Sequence, residues 1–107
     1  MTPERVREHA RAFNAAVRSR DFGPFVATFT DDAVMRFVGL PAGPFVGRAA
    51  IAEAYATRPP TDTLTVDEVS TEADVDVVRF RWDGGGAGTF TVRWRDGRVA
   101  DLTVVFG

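Results

Sequence analysis

Two side chains are equipped for proton or hydrogen-bond chemistry near neutral pH: His9, the only histidine, and Tyr55, the only tyrosine. Imidazole is the side chain whose ordinary pKa lies closest to neutrality, which makes His9 a candidate general base or acid. A boundary position on a surface helix is the other reading of His9. The Tyr55 hydroxyl can hold a carbonyl or hydroxyl oxygen of a ligand, or it can serve a core tyrosine by bonding backbone or water. Carboxylates are plentiful, but none has histidines at metal-ligand spacing. Asp31 and Asp32 fall at an expected helix end, where turn and capping roles suit them. Asp67, Glu68, Glu72, Asp74 and Asp76 fall near strand ends and read as a solvated acidic rim. The glycine-rich run 84–88 lacks the lysine and the following helix of a phosphate loop. There is no cysteine and no lysine, which removes disulfides, thiolate ligands and Schiff-base chemistry. Neither a metal nor another cofactor is expected.

The elements that position these groups must fit in 107 residues, of which 45% are hydrophobic and 26% charged. That suits one soluble domain, residues 1–107, with a core of its own. Net charge is −2, and the thirteen arginines are interleaved with fifteen acids. No basic run offers a nucleic-acid footprint. No apolar stretch is long enough to span a membrane, and the cytoplasm is the expected location.

Helical periodicity fills the first half. Thr2 is a candidate N-cap, with Pro3 at the first helical position, and Val6, Ala10, Phe13 and Val17 mark one apolar face of a helix running to Ser19. Asp21 caps a second, short helix with Phe22, Phe25, Val26 and Phe29 as its buried stripe. A strand is expected over Ala33–Val38, a strand fragment at Phe45-Val46, and a third helix over Arg48–Thr57 that Pro59 and Pro60 end. After Thr61 the period becomes two. Leu64-Thr65-Val66 with Val69, then Val75–Trp82, Thr89–Arg95 and Val99–Phe106 read as strands, and Asp96-Gly97 is a hairpin signal. Val78, Phe80 and Trp82 alternate with Arg79 and Arg81. Phe90, Val92 and Trp94 oppose Thr91, Arg93 and Arg95. One face is apolar, toward the helices, and the other carries Arg and Thr. Arg36, between Met35 and Phe37, falls on the outward side.

Phe29-Thr30-Asp31-Asp32-Ala33-Val34, a glycine-containing loop, Gly47-Arg48-Ala49-Ala50-Ile51 through Tyr55, and the closing Val99–Gly107 segment resemble the nuclear transport factor 2-like superfamily. The similarity lies with its SnoaL-like and ketosteroid isomerase-like branches. The resemblance implies an α+β fold: a conical, mainly antiparallel curved sheet wrapped around a long N-terminal helix, with two shorter helices and one pocket between sheet and helix. It also implies where the isomerase-like branch keeps its catalytic groups. The first-helix tyrosine falls on Phe13, the carboxylate base on Phe37, and the protonated aspartate on Phe90. A benzyl group neither takes nor donates a proton, so isomerase chemistry is not expected. His9, one turn before Phe13, is placed at the mouth of the cone.

The expected ligand-binding residues are Phe13, Val17, Met35, Phe37, Ile51, Tyr55, Phe80, Trp82, Phe90 and Leu102, with Phe45 and Val92 beside them. These aromatics either fill the cone or line a small dry cavity. The leading reading is a binding protein for a small apolar molecule. The alternatives are an isomerase, cyclase or dehydratase acting through Tyr55 and His9, and a structural module with a filled cone. A homodimer is expected through the outer sheet face, which carries Arg79, Arg81, Thr91, Arg93, Asp101, Thr103 and Val105. Such pairing is common in the superfamily that the chain resembles.

Overall fold

Helix α1 (Glu4–Ser19) buries Val6, His9, Ala10, Phe13 and Ala16. Their three- and four-residue spacing makes a continuous stripe. That stripe takes in His9 and Ala16, where the sequence pattern had favoured Val17. Thr2 is not the cap. Pro3 holds that position, and its carbonyl accepts the N–H groups of Val6 at 3.1 Å and Arg7 at 3.0 Å. The computed structural model describes residues 2–106; Met1 and Gly107, the latter expected at the end of the last strand, lie outside the described residues.

Helix α2 (Gly23–Val26) is a single turn. Asp21 Oδ1 accepts the Gly23 N–H at 3.0 Å, so its carboxylate does sit at the helix entry. The expected stripe was longer, because strand β1 (Phe29–Val38) starts four residues before Ala33 and claims Phe29. The pairing of Phe29 with Val99 and the Val99 N–H bond to Thr28 O at 3.0 Å draw that segment into the sheet. Asp31 and Asp32 therefore lie within a strand and not in a turn. Arg48 pairs with Asp31, and Arg95 pairs with Asp32, which also accepts from Thr30 at 2.9 Å.

The remaining elements are β2 (Phe45–Val46), α3 (Arg48–Thr57), β3 (Leu64–Glu72), β4 (Val75–Trp82), β5 (Ala87–Arg95) and β6 (Arg98–Phe106). Together they form a six-stranded sheet in the order β2-β1-β6-β5-β4-β3. β1 and β6 run parallel, and every other neighbouring pair is antiparallel. The sheet curls around α1 as an α+β cone without closing into a barrel. Asp96 and Gly97 join β5 to β6 with φ of 53° and 77°, the left-handed pair a two-residue hairpin needs. Gly88 lets Phe80 lie flat across β5. A Cβ there would sit 2.7 Å from the Val105 carbonyl oxygen and 2.9 Å from Phe80 Cζ.

One member of the expected acidic rim is not on the surface. Asp76 is fully buried on the concave face, in phase with Val78 and Phe80. Its carboxylate accepts from Arg5 Nε at 2.6 Å, Trp94 Nε1 at 2.8 Å and Thr71 Oγ1 at 2.5 Å. Burial alone would raise its pKa, but these three donors and the Arg5 charge outweigh that and hold the carboxyl below its usual range. Arg5 also stands over the Trp94 ring at 5.6 Å and donates to Ala73 O at 3.1 Å. The cluster fastens the start of α1 to the sheet, and with it the side chains farther along the same helix.

Candidate functional site

Between α1, α3 and the concave face of the sheet lies a cavity of about 420 Å³. Six elements bring the expected residues to it. α1 contributes Phe13, α3 contributes Tyr55, and the outer half of β1 contributes Phe37. β4 presents Phe80 and Trp82, β5 presents Phe90, and β6 presents Leu102. Strand alternation puts the sheet side chains on one face, and the rings meet at tilted to edge-on angles. Phe80 lies 5.1 Å from Trp82 and 5.6 Å from Phe90, and Phe13 lies 6.1 Å from Trp82.

Val17, Met35 and Ile51 are not in the lining. Ile51 and Met35 are buried in the core, and Val17 packs half-buried against it. Phe45 meets the Phe37 ring at 6.2 Å without lining the cavity, and Val92 is core. The lining also holds Phe25, Leu64, Val104 and Phe106. Val104 and Phe106 follow Leu102 at strand period, so the alternation of β6 already pointed to them. Pro60, Thr61, Asp62 and Gly85 rim the mouth, and Asp62 Oδ2 accepts the Gly84 N–H at 2.8 Å.

His9 is not at the mouth. It lines the closed inner end and is only 8% exposed. Its ring sits among Phe25, Phe29, Phe90 and Trp94 at centroid distances of 5.2, 6.3, 5.5 and 6.0 Å. Among the described residues no group meets its buried Nδ1. Burial in this aromatic box pushes the imidazole pKa down to about 4, so the ring is neutral at pH 7. Tyr55 is fixed differently. Its ring stacks on Phe22 at 4.9 Å and 5°, and its hydroxyl is 3.4 Å from Met35 Sδ. Burial raises its pKa well above the usual phenol range. Among the described residues lining the cavity, Asp62 is the only acidic one, and no arginine lines it. Nor do any three His, Cys, Asp or Glu side chains among the described residues cluster as a metal site would require.

The SnoaL-like domain family matches residues 10–102, nearly the whole chain. The chain belongs to the SnoaL-like family. No curated protein matches the sequence at a significant level. Solved structures of low identity share the SnoaL-like fold. A candidate isomerase from Bacillus subtilis has a TM-score of 0.80 at 21% identity, over 97% of this chain and 87% of the other. RV0760c from Mycobacterium tuberculosis, in complex with estradiol-17beta-hemisuccinate, has a TM-score of 0.68 at 21% identity over 95% and 93% of the two chains. A computationally designed 17-OHP binder has a TM-score of 0.71 at 20% identity over 99% and 93%. These likenesses place the SnoaL-like chain in the nuclear transport factor 2-like fold. What its cavity does is decided by its own residues.

Proposed function

We propose that this SnoaL-like protein is a single-domain binder of a small, mostly apolar molecule and carries no ketosteroid isomerase catalytic set. The observation that carries this reading is the wall of the cavity. Phe13, Phe37 and Phe90, the positions that match the proton-handling groups of the isomerase-like branch, all face it as benzyl groups. A preformed apolar cleft with few polar groups is the usual character of a small-molecule site. Phe80, Trp82 and Leu102 complete the contact surface, with Tyr55 facing it. RV0760c and the designed 17-OHP binder show that this fold accommodates small molecules elsewhere.

Catalysis through Tyr55 and His9 is the second reading, favoured by the fact that both residues reach the cavity. It is the weaker one. An efficient acid or base has a pKa near the working pH. Here burial moves both groups away from it, His9 down to about 4 and Tyr55 upward. Turnover of a β,γ-unsaturated ketosteroid is therefore expected at the uncatalysed rate, and a rate well above background would overturn the proposal. Binding is read by thermal shift with a panel of apolar aromatics. At a hundredfold excess over Kd a ligand adds about 2.7 kcal/mol of stability, or roughly 10 °C in a domain of this size. A panel that leaves the melting temperature unmoved favours a structural module instead.

The same proposal includes a homodimer through the convex sheet face. Val38, Val46, Val77 and Val105 are 51%, 67%, 39% and 40% exposed there, unusual for strand valines. They surround Thr91, Thr103 and the Arg36–Asp101 pair at 2.7 Å, with Arg79, Arg81 and Arg93 nearby. Exposed valines interspersed with polar groups on one sheet face have the composition of an interface. Light scattering at micromolar concentration is expected to give twice 11.7 kDa, and a mass near 11.7 kDa ends the dimer.

A further inference from the structure

Among the described residues, every polar side chain at the cavity but one is already engaged or wet. The Tyr55 hydroxyl faces Met35 Sδ, and Asp62 holds the Gly84 N–H at the rim. The exception is His9, at the opposite end from the rim, with Nδ1 buried and unmet. An unpartnered polar ring in an otherwise aromatic box is costly, and a ligand lying in the cavity meets the imidazole that lines its inner end. A neutral imidazole offers one donor and one acceptor nitrogen, and a hydroxyl can answer either.

We propose that the ligand is a neutral alcohol or phenol that enters with its hydroxyl first and bonds the His9 imidazole at the inner end, its apolar body lying against Phe13, Phe80, Trp82 and Phe90. This rests on the binding reading above and adds to it the chemical class and the orientation of the ligand. A charged head is refused at that end, because no counter-ion among the described residues lines it and an unpaired charge in an apolar box is far costlier than a hydroxyl. Size is set by the cavity and polarity by one residue, so the site accepts many apolar frames but asks each for a single leading oxygen.

The test uses the full chain without an affinity tag, so that His9 is the sole histidine. Biphenyl and 4-phenylphenol are titrated by calorimetry into the wild type and His9→Phe. The ratio of the two affinities in the wild type is expected to favour the phenol about three- to tenfold more than in the variant, as one neutral hydrogen bond allows. In protein labelled with ¹⁵N-histidine, 4-phenylphenol is expected to shift an imidazole nitrogen while biphenyl leaves both nearly in place. This readout needs no variant. If biphenyl binds and the phenol shows neither preference nor shift, the His9 anchor is wrong and the apolar site survives. If neither compound binds, the anchor and the binding reading fall together.

Discussion

Asp76→Ala is expected to be the most damaging single substitution outside the aromatic core, lowering stability by about 3 kcal/mol. The carboxylate is fully buried and serves Arg5, Trp94 and Thr71 at once. Removing one partner of a buried ion pair costs about 3–5 kcal/mol, because the other is left uncompensated. The lower end applies because the Arg5 side chain keeps 35% of its surface in water and can turn outward. The Trp94 N–H cannot, and its lost bond makes up much of the remainder. Asp76→Asn keeps an acceptor for Trp94 and is expected to fall between wild type and Ala. Urea unfolding of the three proteins checks this. An Ala variant within about half a kcal/mol of wild type would show that the cluster is decorative, since surface changes usually stay inside that band.

Acid should weaken the protein well above the pH at which carboxylates titrate. In the unfolded chain His9 takes up its proton near pH 6.5, whereas in the folded protein it does so only near pH 4. Between those values the unfolded state binds more protons, so stability is full above about pH 6.5 and declines as the pH falls toward 4. The loss over that window is about 3 kcal/mol, from a shift of roughly two and a half units at 1.36 kcal/mol each. Below it the Asp76 contribution also fades, because a depressed carboxylate stabilises fully above its unfolded pKa and loses that stabilisation as the pH falls through its folded one. His9→Phe replaces the imidazole by an apolar ring among Phe25, Phe29, Phe90 and Trp94 and is expected to flatten the curve between pH 6.5 and 4. Urea midpoints at half-unit pH steps measure it. Parallel curves for the two proteins would place the acid sensitivity elsewhere.

Both of these residues show where a local pattern can be overridden by an assumption about residue type. Asp76 shares the period-two phase of Val78 and Phe80, and His9 falls between Val6 and Phe13 on the inner stripe of α1. Phase alone would have put both inside. A carboxylate at a strand end and a lone histidine on a charged helix are more often solvated, and that expectation displaced the phase. What makes burial of Asp76 tolerable is Arg5, 71 residues away in the chain, and no local window contains both. Where the pattern had no competing signal it was sufficient. The bounds of α3 and β4, the Asp96-Gly97 turn, and the in-facing sets Val78/Phe80/Trp82 and Phe90/Val92/Trp94 were all legible from spacing. Phe29 was not, because its place in β1 is set by Val99 across the parallel pairing, a long-range partner that helical periodicity cannot register. The cavity itself was half legible. Seven of the ten expected ligand contacts line it, whereas Met35 and Ile51 are buried in the core, Met35 against the Tyr55 hydroxyl.

The position of β6 has a consequence for how the protein is made. It follows every other element in the chain, yet it sits between β1 and β5 and is the strand that joins the β2-β1 half of the sheet to the β5-β4-β3 half. While a ribosome has delivered only the residues before Arg98, β1 and β5 are both open edges, and the aromatic side chains meant for the interior have no lid. Open edges and exposed apolar surface in an incomplete chain are the ingredients of intermolecular pairing. A message truncated before β6 therefore yields a sticky fragment and not a smaller folded protein, and the window between synthesis of β5 and release of β6 is when a nascent chain most needs shielding by a chaperone.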